Sequence, residues 1–301
     1  MDSLAAAPGT GPATTPLPVV RPARAARTFD DLPADRTLVM GILNVTPDSF
    51  SDGGRFADTD AAIRAGLKMH YDGADIIDVG GESTRPDSVR ISAEEEQERV
   101  LPVIEALVRA GALVSVDTMN ASTAEKAIGA GALIINDVSG TETDPEMAPL
   151  VARTGVSYIL MHSRGSVRSN DPNATYDDVV NDVVEELTKV RDRFYAAGVT
   201  PEQIILDPGL GFTKTAEHDW ALLRGIDRIG ALGHRVLIGA SRKRFLGSLL
   251  TSFGKAAPPL ERDNATAAVS ALAAASGVWA VRVHNVQASL DAVKAAAAWK
   301  G

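Results

Sequence analysis

The chain has 301 residues, 45% hydrophobic and 23% charged, with a formal net charge of −9. This is a globular composition with ample apolar material for a core, and its acidic balance argues against nucleic acid, whose phosphates need a basic surface. With no cysteine, disulfides, thiolate metal sites and a cysteine nucleophile are excluded; this composition is compatible with the cytoplasm, and no apolar run reaches the roughly 20 residues of a membrane span.

The first 27 residues or so are rich in Ala, Pro and Thr, with arginines at 21, 24 and 27. They lack the apolar segment of a secretory signal, and Asp2 and the prolines fit a transit peptide poorly. Residues 1–30 are read as a disordered tail and residues 36–301 as one folded domain. From Leu38 onward, short apolar runs alternate with amphipathic segments. Strands are expected at 38–43, 75–79, 113–116, 133–135, 157–160, 204–206, 236–238 and 280–283. Most are continuously apolar and β-branched, the pattern of strands buried on both faces.

The intervening segments have helical spacing. Residues 91–110 open with Ser92 and Glu95, three apart as in a capping box. Val100, Val103, Ile104, Leu107 and Val108 then repeat on one face. Residues 176–197 carry Val179, Val183, Leu187, Val190 and Phe194 on one side. Thr200 followed by Pro201 reads as a cap with proline at the first helical position. Residues 264–276 are alanine-rich and suited to close packing. Eight successive β/α units predict an α/β fold, a closed (β/α)8 TIM barrel, with an open doubly wound sheet as the alternative.

Such barrels place functional groups at the C-terminal ends of their strands. Here the apolar runs lead in turn to Asn44, to residues 80–85, to Asp117, to Asn136 and Asp137, to His162, to Asp207, to Ser241, Arg242 and Lys243, and to Arg282 and His284. At any single position, a polar residue that merely ends a strand explains the choice equally well. Across the whole ring that explanation weakens, and a polar ligand with both donors and acceptors is expected. Arg85, Arg242, Lys243, Arg282 and His284 concentrate positive charge on an acidic protein, which suggests a phosphate or carboxylate. Two loops stand out. Residues 44–54 are long for a βα loop, with a hinge-like Gly53–Gly54 and a candidate lid residue, Phe50; residues 81–92 contain Arg85–Pro86.

Other features receive bland readings. His70 is assigned to a helix surface or its packing, and His218 and His234 to solvated connections. No H-x-x-x-H or similar spacing supports a transition-metal site. Gly80–Gly81 is a glycine pair rather than a dinucleotide fingerprint. Glu94, Glu95 and Glu96 are read as the solvated first turn of a helix, favourable to its dipole.

The segments at the strand ends resemble the signatures of dihydropteroate synthases. Residues 40–54 (MGILNVTPDSFSDGG) are similar to the first and residues 78–86 (DVGGESTRP) to the second. VDT at 116–118, IND at 135–137, LMH at 160–162, DPGLGF at 207–212, GASRKR at 239–244 and VRVH at 281–284 follow in order. The resemblance spans Leu38 to about Trp299, and the DPGLGF and SRKRFLG wording resembles actinobacterial members.

The resemblance implies condensation of (7,8-dihydropterin-6-yl)methyl diphosphate with para-aminobenzoate, giving dihydropteroate and diphosphate by an SN1-like substitution. It implies a pterin pocket of Asp117, Asn136, Asp207, Lys243 and Arg282. It also implies a para-aminobenzoate pocket of Thr84, Arg85, Pro86, Phe212 and Ser241, and a lid carrying Asp48, Phe50 and Asp52. Asn44, Lys243, Arg282 and His284 are the implied catalytic groups, with Asn44 helping to hold Mg2+ and His284 at the diphosphate end. A homodimer through the late helices, near residues 265–275, and sensitivity to sulfonamides are further implications. Asp87 departs from the glycine common in the family, which implies a stiffer and slightly more acidic loop. A methyltetrahydrofolate-dependent methyltransferase would share Asp117, Asn136 and Asp207 but lack the 44–54 lid and the Ser-Arg-Lys segment. An inactive pterin-binding paralogue would have lost parts of these same segments, which this chain retains.

Overall fold

Eight runs rich in apolar and β-branched residues pair edge to edge, all parallel, until the last meets the first. The computed structural model describes residues 28–46, 55–82, 90–165 and 174–301, so the expected tail lies largely outside them. The strands are β1 (Leu38–Asn44), β2 (Ile76–Gly80), β3 (Val114–Asp117), β4 (Ile134–Asp137), β5 (Ser157–Met161), β6 (Ile204–Asp207), β7 (Arg235–Ile238) and β8 (Ala280–Val283). They close in sequence order, with Leu38 of β1 in register with Ala280 of β8. The closed barrel is the fold expected from the alternation, and the open sheet is excluded.

β1, β3, β4 and β6 extend past their expected ends to Asn44, Asp117, Asp137 and Asp207. Hydrophobicity stops before the strand does, because the last ladder position reaches the mouth of the barrel. Side chains alternate along each strand. Leu38, Met40, Ile76, Leu113, Ile134, Ile159, Ile205, Leu237 and Ala280 point inward and fill the barrel. Residues of opposite parity, among them Val39, Ile77, Val116 and Ile238, pack against the helices.

The helices are α1 (Arg55–Tyr71), α2 (Ala93–Arg109), α3 (Ala121–Gly129), α4 (Met147–Thr154), α5 (Val179–Ala196), α6 (Ala216–Arg224), α7 (Ile226–Gly230), α8 (Arg244–Leu249), α9 (Asp263–Ala275) and α10 (Val286–Lys300). α2 buries Val100, Val103, Ile104 and Leu107, as the spacing predicted. Ser92 Oγ caps it, accepting from Glu95 N–H at 3.2 Å. The Glu95 carboxylate turns to Arg99 at 2.5 Å.

Three expectations are corrected here. Glu96 is buried and not solvated: its carboxylate accepts from Thr118 Oγ1 and Asn120 Nδ2, both at 2.9 Å. The first turn of α2 therefore braces the loop after β3. α5 starts three residues later than expected, because Asp178 caps it by accepting from the N–H groups of Val180 and Asn181. Tyr176 lies before the helix and donates to Thr213 O at 3.1 Å. His218 and His234 are engaged and not simply solvated. His218 Nδ1 accepts from Thr215 N–H at 3.2 Å at the start of α6, and His234 Nε2 lies 2.9 Å from Tyr195 Oη.

The N-terminal end of the barrel is plugged by Phe29 stacked near Trp279, with the Arg235 guanidinium over both rings. Beside it, Arg36 forks onto Asp75 at 2.7 and 2.8 Å, and Asp75 also accepts from Val39 N–H. Arg36→Ala leaves Asp75 charged and buried without its counter-ion, a loss of about 3 kcal/mol. The pair lies at the end away from the mouth, so turnover at 25 °C is expected to stay unchanged. Urea unfolding measures the loss, and a difference below about 1 kcal/mol would contradict this account.

Candidate active site

Above the apolar filling, the inward positions become polar. Asp78 and Ser115 stand two residues beyond Ile76 and Leu113, Asn136 and Asp207 two beyond Ile134 and Ile205, and Arg282 two beyond Ala280. Asn44, Gly80, Asp117 and Asn136 form a chain of register partners across β1 to β4. Gly80 matters there: a Cβ on it would sit 3.3 Å from Asp117 Cβ. Its lack of a side chain leaves room for the Asp117 side chain. Parity also separates Asn136 from its neighbour. Asp137 faces the helices, accepting from Tyr158 Oη and Ser139 N–H, each at 2.8 Å.

Arg282 is the central cation. Its Nε donates to Asp78 Oδ2 at 2.6 Å and its Nη2 to Asp117 Oδ2 at 2.5 Å. Asn136 Nδ2 donates to the same Asp78 oxygen at 2.9 Å. Burial pushes the Asp117 carboxyl up to about 7, against the pull of Arg282 and with the charge of Asp78 adding to the rise. Arg282 stays firmly charged: its burial is outweighed by Asp78 and Asp117.

Asp207 ends β6 and accepts from Gly209 N–H at 2.7 Å. Gly209 has φ of 67°, and a Cβ there would lie 1.9 Å from His162 O, so only glycine fits. Lys243 reaches over from the loop after β7. Its Nζ donates to Leu210 O and lies 4.7 Å from the centre of the Phe212 ring. Burial lowers its pKa to about 8, while Asp207 acts to hold the charge; burial likewise raises Asp207, with Lys243 opposing.

Arg242 has φ of 57°, and its guanidinium forks onto Asp263 at 2.6 and 2.8 Å. The sequence reading counted it among the cations of the mouth; its charge is instead committed to α9. Ser241 Oγ and His284 Nδ1 are 3.0 Å apart, and His284 N–H donates to Ser241 Oγ at 3.1 Å. That contact joins a residue assigned to para-aminobenzoate with one assigned to diphosphate.

The sequence placed His162 at the end of the fifth strand but missed the partners that surround it. His162 is buried, with Nε2 2.9 Å from Glu186 and Nδ1 2.8 Å from Lys214 Nζ. Burial, with the Lys214 cation, lowers His162 to about 4, so the ring is neutral at pH 7 and donates from Nε2 to Glu186. Burial also takes Lys214 down to about 7. Lys214 donates to Phe212 O at 3.0 Å, and Asp219 accepts from Gly211 N–H at 2.6 Å, so both hold the 208–214 turn. Glu96 and Asp78 were missed too, the first inside a charge run and the second inside a motif. Their one available signal was charge at otherwise buried positions.

Asp48, Phe50, Asp52, Thr84, Arg85, Pro86 and Asp87 lie outside the described residues. Among those described, no group of three or more His, Cys, Asp or Glu side chains could hold a metal ion. Asn44, with its neutral amide oxygen, is the expected metal contact that the structure does describe.

Profile comparison matches residues 40–284 to the family of pterin binding enzymes. The chain belongs to this family. Within it, the chain is 51% identical to dihydropteroate synthase of Mycobacterium leprae, over 87% of this chain and 93% of that one. A solved structure of Xanthomonas albilineans dihydropteroate synthase in complex with 7,8-dihydropteroate superposes with a TM-score of 0.80 at 38% identity. It covers 90% of this chain and 96% of that one. The Yersinia pestis dihydropteroate synthase with a sulfonamide drug complex gives a TM-score of 0.81 at 37% identity, covering 89% and 96%. The resemblance read from the motifs, including its actinobacterial cast, is thereby established.

In a pterin binding enzyme of this construction, the mouth is held at a cost to stability. The Asp117 carboxyl binds its proton more tightly in the folded chain than at its ordinary value of 3.8. The stabilisation from this group is therefore whole below about pH 4 and is lost as pH rises through about 7. Asp117→Asn removes that dependence. Its melting temperature relative to the parent is expected to be more favourable at pH 8 than at pH 5. Scanning calorimetry at the two pH values tests this, and an equal difference at both would contradict it.

Proposed function

We infer that the chain catalyses the dihydropteroate synthase reaction, a transfer of the dihydropterin methyl group from diphosphate to the amine of para-aminobenzoate. The observation that carries this reading is the convergence of Asp117, Asn136, Asp207, Lys243 and Arg282 at one mouth of the barrel, each from a different strand or strand end. A pterin edge presents N–H donors beside a carbonyl and ring nitrogens. Asp117, Asn136 and Asp207 supply acceptors for the donors, and Lys243 donates to the acceptors. The planar Arg282 guanidinium suits a flat ring face.

Phe212 and Ser241 are assigned to para-aminobenzoate together with Thr84, Arg85 and Pro86. Asp48, Phe50 and Asp52 are assigned to a closing lid. His284 donates to the departing diphosphate, and Ser241 holds its ring. Asn44 offers a hard oxygen donor, which fits a Mg2+ ion carried mainly by substrate phosphates. When bound there, the ion would neutralise diphosphate charge. The C–O bond at the pterin methylene breaks, and its electron pair leaves with diphosphate. The neutral amine then forms the C–N bond and releases its proton to solvent. This order is the SN1-like course; it requires no protein nucleophile, only acceptors near the developing cation and donors near the leaving group.

The first test is diphosphate release from purified protein with Mg2+, with and without para-aminobenzoate. Release that depends on para-aminobenzoate, with dihydropteroate formed and a sulfonamide inhibiting, is the expected result. Lys243→Ala is expected to lower kcat/KM by about 100-fold or more. The pH profile of kcat/KM should rise as Asp117 ionises near 7 and fall as Lys243 loses its proton above about 8. A bridging-oxygen label that scrambles without para-aminobenzoate would support the SN1-like course. No turnover with pterin still bound would favour a non-catalytic pterin-binding role.

We also propose a homodimer, as the resemblance implies. Leu249, Leu250, Phe253, Leu260, Leu272 and Trp299 are large apolar residues exposed between α8 and the end of α10. Lys300 Nζ donates to Ala274 O, which brings the end of α10 beside α9. Such a concentration suits an interface. Sedimentation equilibrium is expected to give twice the chain mass, and Leu272→Glu with Trp299→Glu to give monomer; a monomeric parent would remove the proposal. A cytoplasmic location, proposed from the cysteine-free sequence, is open to cell fractionation. No described helix is long and apolar enough to cross a membrane.

A further inference from the structure

Asp78 sits inside a recognised motif, yet that resemblance assigns it no role. It lies on β2, in register with Ile42 and Ser115, and is wholly buried. One carboxylate oxygen, Oδ2, takes both Arg282 Nε and Asn136 Nδ2. The other, Oδ1, is buried with no hydrogen-bond partner, and so is Ser115 Oγ on the adjacent strand. A buried carboxylate with an idle oxygen costs stability, and an apolar side chain of similar size would cost less. Its charge calls for a use.

We propose that Asp78 is a positioning residue of the pterin pocket, fixing the plane of the Arg282 guanidinium and the polarity of the Asn136 amide. The proposal rests on the pocket reading given above. Arg282 is gripped on two sides, Nε by Asp78 and Nη2 by Asp117. Two contacts on different nitrogens of one rigid fork define its plane, where a single contact would let it swing. The second consequence follows from the chemistry of a carboxylate, which only accepts hydrogen bonds. Asn136 must therefore turn its NH2 group toward Asp78. Its carbonyl oxygen is left to serve a ligand, so the pocket reads N–H donors at this point. An amide or hydroxyl at position 78 accepts as well as donates and would let the Asn136 amide turn over.

Asp78 also competes with Asp117 for the one guanidinium. The charged groups acting on Asp117 are Arg282 on β8, Asp78 on β2, Glu96 on α2 and Asp137 on β4. Only Arg282 favours its ionised form; the three carboxylates oppose it. Neutralising Asp78 removes one opposing charge and leaves Arg282 undivided for Asp117. Asp117 then ionises at lower pH.

The test compares full-length parent, Asp78→Asn and Lys243→Ala. Affinity for the unreactive 6-hydroxymethyl-7,8-dihydropterin is measured by calorimetry from pH 5 to 8.5, and KM for both substrates by turnover. If Asp78→Asn does not fold, as judged by circular dichroism and a cooperative melt, Asp78→Ser is read in the same way. Asp78→Asn is expected to bind the pterin about tenfold or more weakly at pH 8. Its KM for para-aminobenzoate should stay within about twofold of the parent, with the acid limb of pterin binding moved about one unit lower. Pterin affinity within twofold of the parent, an unmoved acid limb, or an equal loss for para-aminobenzoate would each overturn the proposal. Lys243→Ala separates the two levels. If it binds pterin normally, the pocket reading itself fails. If it loses pterin while Asp78→Asn does not, only the role of Asp78 is wrong.

Discussion

A strand in a closed barrel must turn every second side chain inward, and the rest of this protein depends on that parity. Below, the inward positions are Leu, Ile, Met and Ala, which pack without polar atoms. Two residues higher the same rows deliver Asp78, Asn136 and Asp207, all buried, and the partly buried Arg282. The closing pair of β1 with β8 is what lets Arg282, near the end of the chain, meet Asp78 and Asp117 from its first half. An open sheet would separate these residues and leave their charges to solvent.

Burial is thus the source of both the cost and the chemistry of the mouth. It raises Asp117 and Asp207 and lowers Lys243, so Asp117 and Lys243, which would be inert at pH 7 on a surface, are brought close to titration. Their opposite charges keep the cluster tolerable, since each carboxylate has a cation nearby. The arrangement leaves acceptors and donors on one rim with little reorganisation needed when a ligand replaces solvent.

The rim stays in shape because a second set of contacts lies behind it. Glu96 ties the start of α2 to Thr118 and Asn120, just past Asp117. Lys214 and Asp219 hold the 208–214 turn that carries Phe212 and supports Lys243. Arg242 and Asn285 both bond Asp263, which fastens the loops after β7 and β8 to the start of α9. The Glu96 and Asp263 contacts join residues more than twenty positions apart, whereas those of Lys214 and Asp219 brace the turn locally.

What the sequence determined by itself was the fold and the rim. Strand positions were legible to within about two residues, because strands buried on both faces must be short and apolar. Asn44, Asp117, Asn136, Asp207, Lys243, Arg282 and His284 were legible because function in this architecture follows strand ends. Tertiary structure showed where two adjacent polar residues turn, Asn136 to Asp78 at the mouth and Asp137 to Tyr158 outside it. It also decided where long side chains go, sending Arg242 to Asp263 and Glu96 into the core. Neither could be read along the chain: a reach of several ångströms ends on partners tens or hundreds of residues away. The same holds for Asp78. In sequence it is one residue of a motif, and its meaning comes from a guanidinium 204 positions later, set beside it by closure of the barrel.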